Sequence, residues 1–123
     1  MAASQQDDGA LCGPWQGDEA GLIEACEYQD HFLSYRVRGA LVTSVDHDHP
    51  DFFPTPQAVM DSFERMVMGI ESGGFLLCCA DDEGARRLAA FARRKRKDLM
   101  VHLYGYHARG VFGLIDTHGK AAL

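Results

Sequence analysis

The densest group of residues able to do chemistry is a hexapeptide with five ionisable side chains, Asp46-His47-Asp48-His49-Pro50-Asp51. Carboxylates and imidazoles side by side favour a hard or borderline metal ion. Aspartate and proline also favour turns, so the hexapeptide alone fits a solvated turn as well. Glu24 adds weight to the metal interpretation, because an acid inside an apolar run needs an ion partner or a metal unless it lies at an exposed strand end.

The segments between these polar groups predict an α/β fold. Apolar runs predict strands over residues 22–26, 37–45, 75–80 and 99–104. The run at 37–45 suits a strand that is buried on both faces. One helix is predicted to begin at Thr55-Pro56 and to end at Gly73-Gly74, and a second to begin at Asp81 or Asp82. Short connections imply right-handed crossovers, and therefore a mainly parallel sheet with flanking helices.

Ligands of parallel sheets bind beyond the carboxyl ends of the strands. In this chain those positions are residues 24–27, 44–51 and 81–82. All three segments are acidic, which favours a divalent cation over bare phosphate.

Composition narrows the class of protein. The chain has 123 residues, of which 46% are hydrophobic and 24% charged, which suits one domain with a modest core. Its net charge of -6 argues against a general binder of nucleic acid or of anionic membranes. No apolar run approaches the roughly 20 residues that span a bilayer, and no secretion signal is evident, so a cytoplasmic location is expected. Four cysteines without a C-x-x-C pair predict reduced thiols, with Cys78 and Cys79 on opposite strand faces.

Four motifs, taken in order, resemble those of one enzyme family. They are Glu24-Ala25-Cys26-Glu27, Val42-Thr43-Ser44 leading to Asp48-His49-Pro50-Asp51, Gly73-Gly74-Phe75, and Ala80-Asp81-Asp82. This series resembles the central ATPase domain of the Mur ligases, whose motifs are E-A-x-E, V-T-N-x-x-x-D-H-x-D and G-G-x-x-x-x-C-A-D-D. The resemblance covers roughly residues 10–106. Within the family it is strongest for the ligase that joins L-alanine to UDP-N-acetylmuramate.

The resemblance implies a P-loop NTPase-like fold and an enzyme of peptidoglycan synthesis that uses ATP and Mg²⁺. Such an enzyme phosphorylates the carboxylate of UDP-N-acetylmuramate, and the amine of L-alanine then attacks the acyl phosphate. By position, Glu24 and His49 would hold magnesium ions at the ATP phosphates. Ser44, where the family usually has asparagine, and Asp48 would bind the cofactor, while Asp48 and Asp51 could also orient His49.

The chain also departs from the family. The phosphate loop, G-T-H-G-K-T-T, should precede Glu24 by several dozen residues, and only 23 residues precede it here. Residues 117–120 are similar in sequence to that loop, but its first glycine and its final hydroxyl residue are absent. We therefore expect an irregular segment at 1–20, a partial central domain at 21–106 and a divergent tail at 107–123. Alone, the chain is expected to be inactive and to bind neither ATP nor Mg²⁺ tightly. We also expect it to self-associate through exposed apolar surface or an unpaired strand.

Three alternatives stay open at this point. The parent could be the ligase that attaches a recycled murein peptide to the same UDP-sugar. The chain could be a non-catalytic module that keeps the fold for metal or protein binding, or a truncated reading frame without a function. The basic run at 93–97 is predicted to be a solvated helix end, because it lacks the interleaved aromatics of a nucleic-acid site. His102 is predicted to be a packed or edge histidine.

Overall fold

Strands and helices alternate along the chain. The computed structural model describes Gly21, Glu24, Ala25, residues 27–109 and Gly113. A 3₁₀ segment at Tyr28–Ser34 precedes the first strand. The strands are β1 (Gly39–Val42), β2 (Phe75–Cys79) and β3 (Met100–Tyr104), and the helices are α1 (Pro56–Gly69) and α2 (Glu83–Lys95).

The three strands form a parallel sheet in the order β1-β2-β3. Leu41, Leu77 and His102 lie side by side across it. Right-handed crossovers between strands that are added in one direction place both helices on the same face. The buried cluster, which joins residues of α1 and α2 to one set of strand positions, agrees with this arrangement. The prediction of an α/β fold with a mainly parallel sheet is confirmed.

The core lies between the sheet and the two helices. Leu76 and Cys78 of β2 are completely buried there, together with Val67 of α1 and Leu88 of α2. Removal of these apolar side chains from water is the main favourable contribution to folding.

The opposite face of the sheet is more open, which corrects one prediction. The paired part of the first strand is Gly39–Val42 instead of residues 37–45, and it is not buried on both faces, since Leu41 is 41% exposed. Met100 of β3 is 58% exposed. The physical reason is that α1 and α2 cover only one face of the sheet.

Both helices begin where the sequence predicts. The Thr55 hydroxyl oxygen accepts a hydrogen bond from the backbone N–H of Ala58 at 3.1 Å, and proline occupies the first helical position of α1. Asp82, one of the two predicted caps, accepts from the N–H of Ala85 at 2.6 Å and starts α2. These bonds satisfy N–H groups that lack a partner within the helix.

The end of α1 differs from the prediction. The helix ends at Gly69, because Ile70 turns to extended backbone, and the expected Gly73 instead forms the following turn with φ +77°. The guanidinium of Arg96 donates to the carbonyls of Val67, Met68 and Ile70 at 2.9 to 3.0 Å. A side chain from the end of α2 thus closes the C-terminus of α1.

The same contacts correct the interpretation of the basic run as a purely solvated helix end. The side chain of Arg96 is only 12% exposed and also forms a salt bridge with Asp98 at 2.8 Å. Its neighbours Arg94, Lys95 and Lys97 are not buried, in agreement with the prediction.

The remaining fold predictions concern short segments. Of the strand expected at 22–26, Glu24 and Ala25 are described and lie in no strand, while the other three residues lie outside the described part of the chain. Cys78 is buried, Cys79 is half-buried, and both are free thiols; the other two cysteines lie outside the described residues. Within the described residues, no helix is long and apolar enough to cross a membrane.

Candidate functional site

The carboxyl ends of the three parallel strands meet at one edge of the sheet. Residues 43–53 follow β1, residues 80–82 follow β2 and residues 105–107 follow β3. Most of the polar side chains that the sequence motifs indicate therefore belong to this edge, where parallel sheets bind their ligands.

The loop after β1 folds back on itself. The His49 carbonyl accepts hydrogen bonds from the N–H groups of Phe52 and Phe53, at 3.0 and 2.9 Å. Nε2 of His47 donates to the Phe53 carbonyl at 2.7 Å. His49 itself has φ +57°, a conformation that non-glycine residues adopt only where the surrounding structure enforces it. The hexapeptide is therefore a turn with a defined backbone.

Tyr28 connects this loop to the segment that carries Glu24. Its hydroxyl donates to Oδ2 of Asp51 at 3.0 Å. Its ring centroid lies 4.6 Å from that of His49 and 6.0 Å from that of Phe52. The hydrogen bond to Asp51 and the charge of that carboxylate raise the pKa of Tyr28.

Two cavities flank the loop. A small one of about 120 Å³ is lined by polar groups of two predicted segments, among them Glu27, Ser44 and Asp48, over an apolar floor that includes Phe32 and Phe63. A larger cleft of about 330 Å³ lies between the loop and the first turns of α1 and α2. Its charged lining consists of Asp46, His47, Asp82, Glu83 and Arg87.

Asp82 joins the loop to the second helix. Besides capping α2, its Oδ1 accepts from the N–H of Val45 at 3.1 Å. A side chain at Gly84 would collide with Val45, since an added Cβ would lie 2.6 Å from the Val45 carbonyl oxygen. The start of α2 thus packs directly on the chain that leaves β1.

Asp81 joins the ends of β2 and β3. Its carboxylate accepts from the N–H groups of Tyr106 and His107 at 2.9 and 2.8 Å, and it pairs with Nδ1 of the His107 ring. These bonds, the one from Tyr106 above all, lower the pKa of Asp81. Gly105, with φ +121°, lets the backbone approach, because a Cβ there would collide with this carboxylate at 2.5 Å.

The structure brings some predicted site residues together. Ser44 and Asp48 line one cavity, with Ser44 half-buried and Asp48 exposed. His49 is half-buried against Tyr28, and Glu24 is exposed four residues before Tyr28. Sequence reasoning missed Tyr28 and His107, because neither lies in a motif and each acts through a contact with a residue more than 20 positions away.

The donor chemistry of the loop is of the kind that hard cations prefer. The loop carries carboxylates, a hydroxyl group and imidazoles, and oxygen is the ligand atom that Mg²⁺ prefers. Within the described residues, no three histidine, cysteine or acidic side chains are placed to hold a metal by themselves. A cation at His49 would therefore need oxygens from water or phosphate to complete its coordination.

The sheet order and this polar edge define a parallel α/β domain with a polar edge beyond the carboxyl ends of its strands. The model of the Mur ligase middle domain matches residues 14–115. The chain therefore belongs to the Mur ligase family, and the matched part is the middle domain of that family. The family resemblance seen in the motifs is confirmed.

Individual relatives agree with the family model. The UDP-N-acetylmuramate–L-alanine ligases of two Treponema pallidum strains, one of them strain Nichols, are each 32% identical to the chain over 108 residues. The similarity covers 88% of this chain and 22% of each relative, so the chain spans about a fifth of their length.

Proposed function

We propose that the chain supplies the acidic ligand edge of the middle domain in an ATP-dependent ligase that joins L-alanine to UDP-N-acetylmuramate in the cytoplasm. The observation that carries the proposal is the 32% identity to ligases of that name over 88% of the chain. The cavity shared by Ser44, Asp48 and Glu27 supports it, because residues from separate motifs of the resemblance meet there.

The four proposed site residues have two roles. Glu24 and His49 hold the cation, and Ser44 and Asp48 contact the phosphates or their bound water. A bound Mg²⁺ would neutralise charge on the phosphoryl group that is transferred from ATP to the carboxylate. The position of Tyr28 supports a common site: four residues of extended chain span at most about 14 Å, so Glu24 lies within that reach of a residue that contacts His49.

The 123 residues contain no complete phosphate-loop motif, so we propose that the chain by itself turns over no ATP. Phosphoryl transfer depends on a phosphate cradle and a lysine, which would come from other parts of a whole ligase. This part of the proposal is tested by incubating the purified chain with Mg²⁺, ATP, UDP-N-acetylmuramate and L-alanine. Release of phosphate that Glu24→Gln abolishes would contradict it.

A chimeric enzyme tests the proposed function directly. The matching segment of a Treponema pallidum ligase is replaced by this chain, and formation of UDP-N-acetylmuramoyl-L-alanine is measured. We expect activity, and a loss of at least about 100-fold in kcat/KM for Glu24→Gln or His49→Ala, by analogy with the removal of one group that stabilises transition-state charge.

The matched control is Glu71→Gln. Glu71 is an exposed acid that follows α1 near the amino end of β2, away from the ligand edge, so activity should stay unchanged. Activity of this segment only when it is placed in a ligase that attaches a recycled murein peptide would favour the recycling ligase. A folded chimera without activity would favour the non-catalytic module.

A further inference from the structure

We infer that Tyr28 is a positioning residue that holds the imidazole of His49 in place for the cation. The inference rests on the proposed function, and it adds a residue outside the motifs of the family resemblance.

The two contacts of Tyr28 lie on either side of Pro50. The ring packs on His49, with centroids 4.6 Å apart and planes at 47°, and the hydroxyl donates to Asp51 at 3.0 Å. One rigid side chain therefore fixes both the histidine and the carboxylate that follows it two residues later. A ring with only two rotatable bonds can do this at a low cost in conformational entropy.

The backbone at His49 needs such support. Its positive φ of 57° is unfavourable for a residue with a Cβ, and contacts from the surroundings must hold it. The N–H groups of Phe52 and Phe53 fix its carbonyl from within the loop. Tyr28 is an aromatic contact from outside the loop, and Phe52 packs edge-on against the same tyrosine.

The location of Tyr28 adds a functional consequence. It directly follows Glu27, which lines the cavity with Ser44 and Asp48, and it lies four residues after Glu24. The tyrosine thus links the acidic segment before β1 to the histidine loop after β1. Without that link, the two groups of ligands would move independently, and a cation that needs both would bind less tightly.

The test uses the full chain with isotope-labelled histidine. Mn²⁺ replaces Mg²⁺ as a paramagnetic probe, and the broadening of the His49 ring signals is followed by NMR as Mn²⁺ is added to millimolar concentration. Tyr28→Phe keeps the ring and removes the hydroxyl, so the apparent affinity should fall about fivefold, the effect of one hydrogen bond. Tyr28→Ala removes the hydrogen bond to Asp51 and the ring contacts with His49 and Phe52, and the fall should reach about tenfold or more, as for other residues that support a metal ligand.

The control variant is Tyr106→Phe, because Tyr106 is 50% exposed near the end of β3 and its contact with Asp81 uses the backbone N–H. It should leave the broadening unchanged. A second readout needs no metal: the nuclear Overhauser contact between the Tyr28 and His49 rings should be present in the wild type and in Tyr28→Phe. Backbone relaxation of residues 48–52 should show new motion only in Tyr28→Ala.

Each failure has a separate meaning. Equal Mn²⁺ affinity in the wild type and in both Tyr28 variants would overturn the positioning role. So would Mn²⁺ that binds the wild type without broadening His49. The first result leaves the proposed function unaffected, because amide formation by the chimeric enzyme tests that function. The second result would also contradict the proposed role of His49 as a cation ligand. If the chimera forms no amide but the Tyr28 variants still weaken Mn²⁺ binding, the proposed function fails and the positioning role of Tyr28 stands.

Discussion

Arg96 and Asp98 form a structural ion pair at the turn between α2 and β3. The guanidinium donates to both carboxylate oxygens of Asp98, at 2.9 and 2.8 Å, while it closes the end of α1. The hydrogen bonds from Arg96 hold the pKa of Asp98 well below its ordinary value of 3.8. The pair thus couples the charge of one exposed carboxylate to the contact between two helices.

The lowered pKa of Asp98 predicts a dependence of stability on acid. A carboxyl group whose pKa is lower in the folded state contributes stability that is fully present above its unfolded pKa and is lost as the pH falls through the folded value. We expect urea denaturation midpoints that are unaffected by this group between pH 7 and 5 and that fall below about pH 4. Asp98→Asn should lower the midpoint at pH 7, and the difference from the wild type should shrink as the pH falls below about 4.

The partner residue supplies the control for this prediction. In an Arg96→Gln background, Asp98→Asn should change the pH dependence much less, because the hydrogen bonds from Arg96 are the largest cause that lowers the pKa of Asp98. A difference between wild type and Asp98→Asn that stays constant from pH 7 to pH 3 would contradict the assignment.

The two helix caps differ in the further hydrogen bonds that they accept. Thr55 caps α1 and lies exposed, whereas Asp82 caps α2 and also accepts a bond from Val45 beyond the end of β1. Asp82 is therefore both a helix cap and a link between the second helix and the candidate ligand loop. The two caps form a matched pair for mutation.

We predict that Thr55→Ala lowers the free energy of unfolding by about 1 kcal/mol, the usual effect of losing a cap. Asp82→Ala should cost about 1 kcal/mol more, because the N–H of Val45 also loses its partner. Urea denaturation followed by circular dichroism measures both values. Faster amide hydrogen exchange at Val45 in Asp82→Ala, and not in Thr55→Ala, is the local readout. Equal losses in the two variants would show that the link to Val45 contributes nothing.

At the scale of the whole molecule, helices pack on one face of the sheet, and the other face is partly exposed to solvent. Phe75, Leu77 and Cys79 of β2 are half-buried on the open face, and Met100 beside Phe75 is 58% exposed. Apolar strands with exposed surface favour association with another chain.

We therefore predict that the 123-residue chain self-associates through the open face. Analytical ultracentrifugation should show a weight-average mass that rises with concentration. Met100→Lys should weaken the association, because burying a charge in an apolar interface is unfavourable. Met68→Lys is the control, since Met68 is 51% exposed on α1, away from the open face. A monomer at all concentrations, or equal effects of both lysine variants, would contradict the prediction.

Local patterns in the sequence were enough to predict the starts of both helices, the strand β2 and the α/β class. The helix starts at Thr55 and at Asp81 or Asp82, the apolar run of β2 and the parallel sheet all follow from patterns within a few residues of each other. Periodicity, caps and short connections act locally, which is why they can be recognised without a structure. The motifs around Glu24, His49 and Asp81 likewise sufficed to indicate the family that the match over residues 14–115 confirms.

Which distant residues meet depends on the tertiary structure alone. Tyr28 reaches Asp51 across 23 positions, Arg96 reaches Val67 of α1 across 29, and Asp81 reaches His107 across 26. The path of the loops and the packing of the helices set these distances, and neither leaves a periodic signal in the sequence. The open face of the sheet has the same origin. The apolar composition of β1 is typical of a strand that is buried on both faces, but helices pack on only one face of the sheet and Leu41 stays exposed.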